Sequence, residues 1–183
     1  MALIEDGIVN KEEWLRSSLK VLFLLKEAYG NLGETYSLIK FYTQKEPHWW
    51  GKTGKGCKHY IDDLQIKDGD VALVDIIKES GEGVNEHRRT SDSELVDAFE
   101  KNRILNQIKE INPDVIICGG TYWVLKEYYP NIFPKVEKGS CFTIKEGVLT
   151  GKIIANCYHP SYGSTEGKRN VAKNILRLIE NKQ

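Results

Sequence analysis

The run Val21-Leu22-Phe23-Leu24-Leu25 constrains this chain more than any other stretch, because five consecutive apolar residues pass directly into Lys26-Glu27-Ala28-Tyr29-Gly30. A short apolar run without alternation, bounded by polar residues and glycine, reads as a strand buried on both faces. Strands of that kind belong to parallel sheets covered by helices on each side, and the ligands of such sheets bind beyond the carboxyl ends of the strands. Glu27 is therefore expected at the mouth of a pocket. Similar runs recur at residues 71–77, interrupted only by Asp75, and at 114–118 and 153–157.

The intervening segments carry helix signals. Asn10 is placed to cap a helix over 10–19, with Glu12 and Glu13 in its first turn and Trp14 and Leu15 as apolar anchors. Residues 34–42 and 57–66 have helix-compatible apolar spacing. Ser91 with Glu94 forms a capping box for one long helix to Ile111, along which Leu95, Phe99, Ile104 and Ile108 share a face. Gly119-Gly120-Thr121 turns the third strand into a helix ending near Tyr129. Residues 142–144 and 152–157 suit a hairpin around Gly147 and Gly151, and a last helix runs from Ser164 to Asn181. Strands alternating with helices predict one domain over residues 1–183, a three-layer α/β/α fold around a four-stranded, mainly parallel sheet. Three strand exits then carry chemically useful side chains: Glu27, Asp75 and His159.

Charge and motif content exclude several classes. Lysines and arginines number 26 and so do aspartates and glutamates, so no global field steers the chain to nucleic acid or membrane, and any polyanion-binding face has to be local. No apolar segment is long enough to span a bilayer and the N-terminus has no signal-peptide pattern, which predicts a soluble, cytoplasmic protein. The cysteines at 57, 118, 141 and 157 form no CxxC pair. Cys118 and Cys157 close apolar runs and read as buried thiols of a reducing compartment. Gly51-Lys52-Thr53 resembles the end of a phosphate-binding loop, but Glu46 stands where its first glycine belongs. No GxGxxG follows the first strand, no GxSxG is present, and His48, Cys57 and His59 match no metal-ligand spacing, so no metal is expected. Trp49, Trp50, Lys52, Lys55 and Lys58 suit either a loop tracking a phosphate backbone or tryptophans packed inward beneath solvated lysines.

Taken together, the strand-exit residues resemble the uracil-DNA glycosylase superfamily. Its iron–sulfur members carry GEAPG after the first strand, an N-V-V-K pattern at a middle strand, and an HPS triplet after the last. The corresponding residues here are Lys26-Glu27-Ala28-Tyr29-Gly30, Asp75-Ile76-Ile77-Lys78 and His159-Pro160-Ser161. The cluster-binding cysteine pattern is absent, so no iron–sulfur cofactor is expected. The resemblance implies hydrolysis of the base–sugar bond of a damaged or mismatched nucleotide flipped out of DNA, with DNA as partner. Within it, Glu27 serves the attacking water and His159 stabilises charge on the departing base. Asp75 reads the base edge, Phe41 stacks on the base with Tyr42 as second choice, and Ala28, Tyr29 and Gly30 line the base pocket. Ser161, Tyr162, Lys52 and Lys168 contact DNA, Tyr162 as a wedge in the vacated stack. Lys26 replaces a glycine, Tyr29 a proline, and Ala28 stands where the uracil-specific enzymes place an aspartate. An ionised Asp75 is acceptor only, suiting a base with an amino group rather than uracil. The alternative is a non-catalytic member of the same fold that binds nucleic acid or a free nucleotide. Phe41 and Tyr42 serve equally well as core aromatics.

Overall fold

The computed structural model describes residues 5–26, 37–45, 50–78 and 91–182. Its centre is a six-stranded sheet. Four parallel strands form the interior: β2 (Val21–Leu25), β3 (Val71–Asp75), β4 (Val115–Gly119) and β6 (Ile153–Cys157). Two short antiparallel strands close the edges, β1 (Gly7–Ile8) on β3 and β5 (Cys141–Thr143) on β6. The order across the sheet is β1-β3-β2-β4-β6-β5. The expected four parallel strands are thus the interior of a larger mixed sheet. At two residues, β1 is too short to leave a periodic signal.

Every residue of the four interior strands is buried, as their unbroken apolar character requires. Alternation splits each strand between two cores. Val21, Phe23, Leu25, Leu73, Ile117 and Ala155 face one core, completed by α3 (Lys55–Leu64) and α7 (Thr165–Glu180). Leu22, Leu24, Val74, Ile116 and Ile154 face the other, with α4 (Asp92–Lys101), α5 (Ile104–Ile111) and α6 (Tyr122–Tyr128). Helices α1 (Lys11–Arg16) and α2 (Leu38–Thr43) are short, and each buries its anchors: Trp14 from α1, Leu38 and Tyr42 from α2. These are the three layers expected.

Capping follows the sequence. Asn10 accepts from the N–H groups of Glu12 and Glu13 at the start of α1, Ser91 and Glu94 cap α4 reciprocally, and Ser164 starts α7. Two expectations change. The single helix to Ile111 is broken at Asn102–Arg103, where Arg103 takes a left-handed conformation (φ 51°). At the break the Asn102 side-chain amide donates to Ile76 O at 2.8 Å, tying the helix junction to the end of β3. Lys52 lies in a π-helical turn, Trp50–Gly54, that runs straight into α3. No described helix is long and apolar enough to cross a membrane.

Candidate functional site

The chain's direction across the sheet reverses between β2 and β4. From β2 it moves outward to β3, then returns past β2 to β4 and continues to β6. In parallel sheets this reversal moves the connecting helices to the opposite face and opens a crevice at the carboxyl ends of the two strands. Lys26 leaves β2 there and Gly119-Gly120-Thr121 leaves β4. Gly120 (φ +78°) donates its N–H to Cys157 O at 2.9 Å, drawing the ends of β4 and β6 together. Thr121, fully buried, donates its hydroxyl to Leu24 O at 2.8 Å and fixes β4 to β2. The end of β3 is held in turn by Ile76 and Ile77, whose N–H groups donate to Leu25 O and Lys26 O.

His159 sits on the turn after β6, and that turn is fastened from three sides. Tyr162 N–H closes it on His159 O at 2.8 Å. Ser161 Oγ meets Thr53 Oγ1 at 2.7 Å, joining it to the residues before α3. Gly56 lies so close beneath Pro160 that a Cβ would stand 1.9 Å from the Pro160 carbonyl oxygen. Lys168 reaches back from α7 and donates to Tyr162 O and Gly163 O, both at 3.0 Å.

The imidazole itself is oriented by its own loop. Ser161 N–H donates to His159 Nδ1 at 3.2 Å. An N–H donor at Nδ1 leaves the proton of the neutral ring on Nε2. Burial, and after it the Lys26 ammonium, push His159 down to about 4. At neutral pH the ring is therefore an uncharged donor with a fixed tautomer, held at the end of β6.

The other expected site residues divide. Glu27, Ala28, Tyr29 and Gly30 lie outside the described residues. Asp75 ends β3 with its side chain buried (1 % exposed), and its charge is felt by the Cys57 thiol of α3. It thus stands on the α3 side of the sheet, the side on which Gly56 meets Pro160. Phe41 is partly buried against the core on that same side. Tyr42 is a core residue whose hydroxyl donates to Asp68 at 3.0 Å. Lys52 and Tyr162 are exposed, Tyr162 at 70 %. Lys168 corrects its expectation: it is 7 % exposed, and its ammonium braces the His159 turn rather than facing outward. Lys58 is engaged with Asp62 and Asp68.

Several participants gave no sequence signal. Asp6 accepts from the Asp75 N–H at 2.9 Å, from Gln107 Nε2 at 2.7 Å and from the Lys78 ammonium. This one carboxylate clasps the N-terminal segment, the end of β3 and α5. Asn156, buried in β6, donates its amide to Val136 O and Glu137 O at 3.1 and 3.2 Å and so pins the connector before β5. Lys138 on that connector donates to Cys157 O at 3.2 Å, with its ammonium 5.7 Å from the ring centroid of Tyr158.

All four cysteines are free, and Cys57, Cys118 and Cys157 are buried. Burial pushes Cys157 up to about 11 and Cys141 up to about 12, which keeps both as thiols. Among the described residues no group of three His, Cys, Asp or Glu side chains is placed to hold a metal ion. No family model matches the chain, and no curated protein matches its sequence.

Proposed function

We propose that this chain hydrolyses the base–sugar bond of a damaged or mismatched nucleotide in DNA, on a fold of the uracil-DNA glycosylase type. The observation that carries the proposal is the state of His159, a neutral imidazole whose Nδ1 accepts from Ser161 N–H and whose proton sits on Nε2. Departure of a base leaves negative charge on its carbonyl oxygen and ring nitrogen. A preorganised, uncharged N–H donor stabilises that charge in the transition state without having to shed its own solvent first. The parallel core, reversing at β2 and β4, supports the same reading, because it brings Lys26, Asp75 and His159, at the exits of β2, β3 and β6, to one end of the sheet.

In this mechanism the flipped nucleotide enters over the strand ends and Tyr162 fills the gap it leaves. Asp75 accepts from an amino group on the base edge and Phe41 supplies an aromatic surface. Glu27 serves the water that attacks C1′ as the sugar becomes oxocarbenium-like. The non-catalytic alternative, binding of a nucleotide or strand without cleavage, draws on Lys26, a cation where the glycosylases keep a glycine. Labelled oligonucleotides carrying uracil, hypoxanthine, xanthine or a mismatched base, treated with alkali after incubation, separate the two. Cleavage at one base, lost in Glu27→Ala and in His159→Ala, is the result expected. Retention of DNA with no cleavage on any of these substrates favours the alternative.

A further inference from the structure

Beyond the base pocket, we infer that Lys26 and Lys138 form an anion subsite beside His159 that takes a phosphate group of a nucleotide or strand.

The two lysines converge on one point of the backbone. Cys157 O accepts from both Gly120 N–H, at 2.9 Å, and the Lys138 ammonium, at 3.2 Å. On the other side of that contact, a Cβ on Gly120 would lie 3.5 Å from Lys26 Cε and 3.8 Å from His159 N. The Lys26 arm therefore lies over Gly120, in ordinary contact distance of where a Cβ would stand, and it is the φ of +78° that favours glycine there. Each cation is felt by its neighbours: the Lys26 charge adds to burial in lowering both His159 and Lys138.

Both lysines spring from fixed backbone. Ile77 N–H donates to Lys26 O at 3.0 Å. The Lys138 connector is held to β6 by the Asn156 amide, by Asn156 N–H donating to Ser140 O at 2.9 Å, and by Gly139 N–H donating to Asn156 O at 2.6 Å. No carboxylate among the described residues pairs with Lys26 or Lys138, whereas Lys58 and Lys78 do have carboxylate partners. Two like charges held together raise each other's energy, and an anion bound between them relieves it. A phosphate fits best, because it offers a separate oxygen to each ammonium. The Tyr158 ring, 59 % exposed and next to the Lys138 ammonium, gives an attached base a surface to stack on.

The phosphate comes either from a strand backbone or from a free nucleotide, and titration calorimetry at low ionic strength distinguishes them. Thymidine 5′-monophosphate is expected to bind about tenfold more tightly than thymidine, and Lys26→Gln or Lys138→Gln each to abolish that advantage. Weaker retention of a single-stranded oligonucleotide by the same variants identifies a strand phosphate, and unchanged retention a nucleotide phosphate. In the unmodified protein, saturating inorganic phosphate is expected to raise the His159 midpoint followed by NMR, since an adjacent anion favours the imidazolium. No preference for the monophosphate, a preference that survives both substitutions, or an unmoved His159 midpoint would overturn the subsite. None of these readouts involves base release, so a protein that cleaves nothing still tests it.

Discussion

At the scale of single residues, the proposed chemistry rests on His159. Its ordinary midpoint near 6.5 falls to about 4 in the folded protein, so the unfolded chain takes up a proton that the folded one refuses. The contribution of this group is fully present above about 6.5 and is lost progressively as the pH falls toward 4. NMR of the ring is expected to show a neutral Nε2–H tautomer throughout the neutral range. Lys26→Gln is expected to raise the midpoint, because it removes the second cause of the shift. A ring that titrates near 6.5 in both proteins contradicts the assignment.

Lys168 makes a complementary case. As a cation that braces two carbonyls, its replacement in Lys168→Met is expected to cost about 1.5–3 kcal/mol, read as a lower urea midpoint. A DNA-contacting lysine would instead weaken strand binding and leave the midpoint where it was.

At the scale of elements, the seat of α3 under the His159 turn decides whether that turn stays in place. Alanine in the first turn of an exposed helix ordinarily improves on glycine by up to about 1 kcal/mol. At position 56 the Cβ would press on the Pro160 carbonyl, so Gly56→Ala is expected to reverse that sign and destabilise by about 1–3 kcal/mol. A thermal melt reads the difference, and a more stable variant would show that the contact is looser than described.

The interior strands were legible because five-residue apolar runs buried on both faces have few other uses. The helix break was written less plainly. Phe99 and Ile104 stand five apart, a step that a continuous helix face does not take, yet Ile104 and Ile108 resume the period and mask it. β1 and the Asp6 clasp depend on contacts more than sixty residues apart, which no local pattern encodes. Likewise His159-Pro160-Ser161 singled out the histidine as a candidate, but not its tautomer, which a backbone N–H two residues on sets. Lys168 was misplaced because lysine usually means surface, whereas here a turn with free carbonyls recruits it.

Across the whole molecule, the sheet's reversal brings the ends of β2, β4 and β6 together, and the chain concentrates its unusual side chains there. The overall charge is neutral, so the polyanion recognition we propose falls to that one end, where Lys26, Lys138, the His159 ring and two exposed tyrosines meet. Binding that depends on so few cations should show a shallow salt dependence. The most direct measurement is single-turnover base release from oligonucleotides carrying each candidate base, by the unmodified protein and by His159→Ala. Release from one base, slowed about 10²–10³-fold by the substitution, is the predicted result. Release at equal rates by both proteins, or none from any base by the unmodified protein, would contradict a glycosylase built on His159.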